Sequence, residues 1–387
     1  MIVGQNGDVP NTSTLSAVRS ALEAKADAML RDIESFVNIE SPSHEVDDLR
    51  RSAQFLAELM ERVLGSRPTL VESPEGPHVH WKGSSDTRVL VVGHHDTVFP
   101  KGTVARRSFS RDGDVARGPG IFDMKAGIVQ AIYGLGEIEE SAHVEILITA
   151  DEEVGSYASR ELIEERARIA GYVLVIEPSA DGGALKIGRK GVGTFRVDIE
   201  GRASHAGLEP EKGINSLVEL AAQVQTIASF ARPDVGTTVT PTVASAGTTE
   251  NVVPASAHII VDTRISEPAE KARVESAFAS LAPTVPGATV TVSGSINRPP
   301  MHESAAQSLF ALATGVAKEI GVADLRGVSV GGGSDGNFTA AIGIPTLDGC
   351  GAVGGGAHAE SEHIIVSTMP ERAALVAGIA RAIVNAN

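Results

Sequence analysis

The stretch VLVVGHHDTVF, Val89 to Phe99, restricts the fold more than any other part of the chain. Its four leading apolar, mostly β-branched residues read as a strand buried on both faces, and Gly93 breaks the run where His94, His95 and Asp96 begin. Polar groups therefore stand at the carboxyl end of a buried strand. Alternation along a strand predicts His94 and Asp96 on one face and His95 on the other. A carboxylate beside an imidazole is the arrangement that fixes a histidine's tautomer when its second nitrogen holds a metal. By itself the tripeptide reads more readily as a histidine pair in a loop, so the remainder of the chain has to decide.

Three further runs repeat the pattern. VEILITADEE (144–153) ends in Asp151, Glu152 and Glu153, YVLVIEP (172–178) ends in Glu177, and Ile344 to Leu347 leads through a glycine-rich loop to His358. Asp123 joins them from GPGIFDMKAG (118–127), which is read as running into a helix through about Glu139. In open α/β sheets, sites collect outside the carboxyl ends of the strands, so these residues are expected to converge. Taken singly, each reads as a solvated strand end, and Asp151 to Glu153 as an acidic helix start favoured by the macrodipole. Their joint placement points to a metal centre. Cys350 is the only cysteine, so the donors must be His, Asp and Glu, which suit zinc, manganese or cobalt.

The chain around these runs alternates strand, loop and helix. Leu15 to Val37 has helical spacing, Val46 to Leu64 is a second amphipathic helix with Gly65 as its C-cap, and Asp112-Gly113 marks a hairpin turn. The expectation is an α/β fold with a mixed, mainly parallel sheet covered by helices on both faces. From about Gly191 the order becomes βαββαβ, with strands at 192–200, 237–244, 256–264 and 288–293, the split ferredoxin-like α+β unit. With 387 residues, more than one core is expected. The boundaries read as 1–190 for the first part of a metal-binding domain, 191–298 for an inserted domain, and 299–387 for the return of the first.

A formal charge of −16 disfavours nucleic acid and anionic membrane as partners. The first twenty residues lack an apolar core of signal-peptide length, and no apolar run reaches the ~18 residues of a membrane span, so a cytoplasmic protein is expected.

The succession GHHDTV, GPGIFDMK, TADEEVGS, VIEP and GGAH resembles the co-catalytic zinc hydrolases that include glutamate carboxypeptidases, aminoacylases, acetylornithine deacetylase and succinyl-diaminopimelate desuccinylase. The resemblance covers essentially the whole chain and leans towards the bacterial glutamate carboxypeptidases. It implies two zinc ions, with cobalt or manganese as substitutes. His94 and Glu177 would hold one ion, Glu153 and His358 the other, and Asp123 would bridge them. Asp96 would orient His94, Glu152 would be the general base, and the Asp123–Met124 peptide would be cis. The inserted domain would serve as lid and dimerisation unit, with His205 of GRASHAG (201–207) reaching across a homodimer to stabilise an oxyanion. Asn251, Arg264, Gly333 and Ser334 would line the substrate pocket, and Arg298 would grip a terminal carboxylate. The implied reaction is hydrolysis of the amide bond of an N-acyl or peptidyl amino acid with a free carboxylate.

The chemistry that the resemblance implies is consistent with the residue types. Two divalent ions bring four positive charges, which Asp123, Glu153, Glu177 and one hydroxide would balance, and a pair of ions roughly 3.5 to 4 Å apart makes hydroxide available near neutral pH. A carboxylate that does not ligate, Glu152, is then needed to move the proton to the leaving amine.

Other readings fare worse. GGGSDG (331–336) and GCGAVG (349–354) each satisfy GxGxxG, but neither is followed by the acidic strand end that a dinucleotide-binding oxidoreductase requires. Ser334 does not sit in a GxSxG elbow, which argues against a serine hydrolase. A catalytically silent binding protein is disfavoured because every ligand position and the base are present. Between carboxypeptidase and N-acyl-amino-acid deacylase the residues leave the choice open.

Overall fold

A computed structural model describes residues 14–386, so most of the twenty N-terminal residues read as lacking a signal-peptide core lie outside the described residues. Two compact units form. One contains the described residues up to Lys186 together with Gln307–Gly327 and Pro345 onward, and the other contains Ile187–Ala306 and Val328–Ile344.

The first unit is built on a six-stranded sheet in the order Thr69–Val71, His78–Lys82, Val144–Thr149, Val89–His94, Val173–Val175, Thr346–Leu347. The four strands from Val144–Thr149 onward pair in parallel, and the two outer strands at the other edge are antiparallel. Every residue of Val89–His94 and of Val144–Thr149 is buried, as continuous apolar runs in a covered sheet require. Helices Val46–Leu64, Arg160–Ala170 and Met369–Asn385 contact its strands. Gly65 ends the first of these in the left-handed region at φ 79°, closing its last turn as a C-cap glycine does. Among the described residues no helix is long and apolar enough to cross a membrane.

Two helices differ from their expected extent. Leu15 to Val37 is not continuous: it breaks at Lys25 into Leu15–Ala24 and Ala26–Val37. The apolar stripe continues through the break, with Leu22, Met29, Leu30 and Ile33 all buried, so periodicity alone could not reveal it. The helix after Asp123 stops at Leu135, short of Glu139, with Gly136 as its C-cap, and a Cβ at Gly134 within it would lie 2.2 Å from the Ala373 carbonyl oxygen. A small sheet escaped the sequence reading. Gly354–Gly355 and His363–Ile365 join the hairpin Ser110–Asp112 and Val115–Arg117 in the order Gly354–Gly355, His363–Ile365, Val115–Arg117, Ser110–Asp112.

In the second unit, Thr238–Ala246, Ser256–Ile265, Gly191–Glu200 and Thr289–Arg298 lie side by side in that order, all antiparallel, which is the ferredoxin-like arrangement of βαββαβ. Phe195, Val197 and Ile199 alternate inward along Gly191–Glu200 and pack with Phe278 of helix Ala269–Ala279, the Phe195 and Phe278 rings stacking at 3.8 Å. Residues 328–344, read from sequence as part of the returning first domain, group with this unit. The reason is visible in its polar contacts. Arg189 donates to the carbonyls of Gly332 and Gly333 at 3.1 and 3.2 Å, and the Asn337 side chain donates to those of Lys190 and Pro299.

His95 lies on the core side of the first unit, with Nδ1 3.0 Å from Ser52 Oγ and Nε2 3.0 Å from the Pro77 carbonyl oxygen. Burial pushes its imidazole down to about 4. The folded form thus resists a proton that the unfolded chain accepts near pH 6.5, so stability is fully present above that value and is lost as pH falls towards 4. For the metal-free protein, unfolding free energy from urea titrations should drop by on the order of 3 kcal/mol across this window. His95→Gln, which cannot titrate there, should flatten that part of the profile. An unchanged slope would assign the acid lability to other groups.

Candidate active site

The carboxyl end of the central strand gathers the polar residues. His94 is its last residue and is 1% exposed. Gly93 beneath it permits close approach, since a Cβ there would lie 2.9 Å from Ile176 Cγ1 and 3.1 Å from Met124 Cε. His94 Nε2 lies 3.3 Å from Asp123 Oδ1 and 3.4 Å from Glu177 Oε1. His358 Nε2 lies 3.3 Å from Asp123 Oδ2 and 3.2 Å from Glu153 Oε2. The two oxygens of Asp123 therefore face different imidazoles, one in each group. Ligand atoms of His94, Asp123 and Glu153 lie within 4.8 Å of one another, as do those of His94, Glu152 and Glu177. The Asp123–Met124 peptide is cis.

Asp96 performs more than the sequence suggested. The nearest partner of His94 Nδ1 is the Asp96 backbone carbonyl at 3.0 Å, with the carboxylate Oδ1 at 3.4 Å. That carboxylate also accepts from the backbone N–H groups of Glu152 and Glu153, at 3.2 and 3.1 Å, and from the Ser43 hydroxyl at 2.8 Å. It thereby ties the His94 strand end to the Glu152–Glu153 turn. Burial works to raise Asp96, but its contacts with His94 and Ser43 leave it below the ordinary carboxylate range.

The electrostatics are those of an anionic cup. Burial would lower His94, yet Asp123, Asp96 and Glu177 around it hold it well above an ordinary imidazole. His358, facing Asp123 and Glu153, is pushed up to about 11. Burial raises Glu153, whereas Asp123, although buried, is lowered by the two histidines. Asp123 Oδ1 and Glu153 Oε1 are buried and accept no hydrogen bond. Buried anionic oxygens left in that state are costly, and a divalent cation is the group that would satisfy them. A donor set of imidazole and carboxylate fits zinc, cobalt or manganese.

The matching region of this sequence to Peptidase family M20/M25/M40 spans residues 90–382. The chain belongs to this family. As an M20 chain it is a metal-dependent hydrolase. It is 33% identical over 366 residues to carboxypeptidase G2 of Pseudomonas sp. (strain RS-16), covering 89% of this chain and 86% of that protein. It is 28% identical over 283 residues to succinyl-diaminopimelate desuccinylase 2 of Shewanella loihica, covering 64% of this chain and 73% of that one. In fold it is similar to the M20 family metallo-carboxypeptidase Sso-CP2 of Sulfolobus solfataricus, with a TM-score of 0.77 at 16% identity over 92% of this chain and 99% of the other.

The remaining expected site residues of this M20 chain lie in the second unit. His205 is exposed, and its Nδ1 accepts from the backbone N–H groups of Gly207 and Leu208 at 3.1 and 3.2 Å. Asn251 is exposed and its carbonyl accepts from Ala206 N at 2.9 Å. Arg264 pairs with Asp262, two residues earlier on the same strand, at 2.8 Å. Arg298 is 8% exposed, pairs with the buried Asp335 at 3.2 Å and lies over the Phe338 ring, while Ser334 is fully buried. Gly333 passes so close to Val192 that a Cβ there would lie 2.6 Å from Cγ2.

Sequence reasoning missed two buried ionisable groups beside Asp123. Glu362 accepts from the backbone N–H groups of Gly120, Phe122 and Asp123, and burial pushes it up to about 7. Lys125 donates to the Ile39 and Phe36 carbonyls at 2.6 and 3.3 Å, and burial pushes it down to about 7. Both bond to main-chain atoms, which leave no complementary side-chain pattern in the sequence. The position of Glu362, four residues after His358, was the one available sign.

Proposed function

We propose that this chain hydrolyses the amide bond of an N-acyl or peptidyl amino acid bearing a free carboxylate, as a cytoplasmic, di-zinc, glutamate carboxypeptidase-like homodimer. The observation that carries this reading is the split of the Asp123 carboxylate between His94 and His358, 3.3 Å from each. In the proposed centre His94 and Glu177 would hold one ion and Glu153 and His358 the other, with Asp123 shared between them. Divalent ions at such a centre polarise the scissile carbonyl and acidify water.

The remaining work falls to the chain. Glu152 accepts the proton of the attacking water on its carboxylate and passes it to the leaving amine. Asp96 keeps the Nδ1 side of His94 engaged, so that Nε2 faces the centre. In neutral His205, Nδ1 already accepts two backbone N–H groups, which leaves Nε2 carrying the proton. That tautomer is a donor, the form that can stabilise an oxyanion, here in the partner's active site. Arg298, held by Asp335, is proposed to grip the substrate carboxylate, with Asn251, Arg264, Gly333 and Ser334 around it.

An N-acyl-amino-acid deacylase is the second reading, supported by the similarity to a desuccinylase. A panel of dipeptides and N-acyl amino acids ending in Glu, Asp or neutral residues, assayed after chelation and after return of zinc, cobalt or manganese, tests both. Activity should vanish on chelation, return with the ions, and fall at least about 100-fold when the terminal carboxylate is amidated, the loss expected of a buried charged contact. Equal turnover of amidated substrates, or turnover indifferent to chelation, would reject the proposal. Preference for acyl over peptidyl substrates would favour the deacylase.

A further inference from the structure

Glu362 has no part in the proposed chemistry, yet it is fully buried and bonded to the loop that carries Asp123. Its Oε1 accepts from the N–H groups of Phe122 and Asp123, both at 2.9 Å, and its Oε2 from that of Gly120 at 2.8 Å. These donors precede helix Ala126–Leu135, and Asp123 and Met124 depart from helical angles, so this carboxylate supplies acceptors that the helix does not. Gly120 enters the loop at φ 70°, and a Cβ there would lie 2.5 Å from Thr97 Cγ2, so the loop has little room to shift on that side.

The same short segment acts on Asp123 twice. His358 faces the Asp123 side chain at 3.3 Å, and Glu362, four residues on, holds the Asp123 backbone. A turn closes between them, with Glu362 N donating to the Ala359 carbonyl at 3.1 Å, and His363 then pairs with Arg117 in the small sheet. A carboxylate accepting several main-chain N–H groups in a buried site makes strong, directional, charge-assisted bonds.

We propose that Glu362 is a positioning residue: it sets the backbone of Asp123 so that the two carboxylate oxygens point to separate metal ions. The inference rests on the reading of Asp123 as the bridging ligand. A merely structural role would make Glu362 a loop clamp whose loss lowers stability and nothing else. A positioning role makes metal affinity and ligand geometry depend on it, as they do on other groups that orient ligands.

The test compares the wild type with E362Q, E362D and D123N. Each is stripped of metal, then titrated with Zn2+ against a competing chelator and with Co2+ by visible absorption, and the melting temperature of the metal-free form is measured alongside. E362Q keeps one acceptor oxygen and turns an amide donor towards an N–H, so its affinity for metal should fall about 10- to 100-fold. Its cobalt spectrum should change, and at saturating metal kcat should fall while KM stays close to that of the wild type. E362D, with both oxygens one methylene short, should lie between. Should E362Q not fold, E362D decides, weakened metal binding supporting the proposal and wild-type binding overturning it. A lower melting temperature with wild-type affinity and spectrum would overturn the positioning role. If D123N also binds two ions as tightly as the wild type, the bridging reading itself has failed; if D123N loses an ion while E362Q does not, only the role of Glu362 falls.

Discussion

Glu152→Gln should leave two metal ions bound and lower kcat about 10²- to 10⁴-fold, the range that general acid–base catalysis contributes. The substitution keeps the shape of the side chain and removes its ability to take a proton. The proposed ligands His94, Asp123, Glu153, Glu177 and His358 are untouched, so elemental analysis should match the wild type. The Glu152 backbone N–H still bonds to Asp96, which keeps the turn in place. Because the side chain is assigned proton transfer and not binding, KM should change only a few-fold. Wild-type turnover in this variant would place the base elsewhere. Loss of metal would instead make Glu152 a ligand, an outcome its nearness to His94 and Glu177 makes worth measuring.

The second large effect is expected at Asp123. In Asp123→Asn one of the two oxygens that face His94 and His358 becomes an amide nitrogen, which does not ligate, and a negative charge is withdrawn from between the ions. Outer partners of ligands typically contribute about 10- to 100-fold in metal affinity, so loss of a bridging ligand should exceed that. Equilibrium dialysis followed by elemental analysis should show at most one tightly held ion per chain, with hydrolysis falling in parallel. Two ions held at wild-type strength would refute the shared carboxylate and, with it, the two-ion reading. The metal-free protein offers a check on the electrostatics. His358 is held at about 11 by Asp123 and Glu153, so withdrawing the Asp123 charge should bring it down towards an ordinary imidazole.

Much of this centre was legible before folding was considered. Each apolar run that became a central strand was bounded by glycine or polar residues; His94, Glu152, Glu153 and Glu177 stood at or just past those ends, and Asp123 and His358 in glycine-rich loops. Parallel strand order brings the first four together, and Asp123 and His358 join them from segments next to the small antiparallel sheet. The ferredoxin-like unit was equally readable, because Val192, Thr194, Arg196 and Asp198 alternate with buried Phe195, Val197 and Ile199. The break at Lys25 was not, since the stripe on either side stays in phase. Nor was the pairing of Arg298 with Asp335, two residues 37 positions apart with no shared pattern in the sequence. The alternation placing His94 and Asp96 together was a fair guide to direction only. The strand ends at His94, so the Asp96 carbonyl, and not its carboxylate, became the closest partner of Nδ1.

What the linear chain determined is the kind of atom available and the order in which strands and loops deliver it: imidazoles and carboxylates, no thiol beyond Cys350, placed at the mouths of buried runs or in glycine-rich loops. Those properties depend on residue type and local periodicity, which a sequence carries explicitly. Only the tertiary structure decided which oxygen of Asp123 faces which imidazole, that Asp96 joins His94 to the Glu152–Glu153 turn, and that Glu362 holds the Asp123 backbone. These contacts run largely to main-chain atoms or depend on ångström-scale orientation. Every residue has the same N–H and C=O, so nothing in the order of side chains marks which of them will meet.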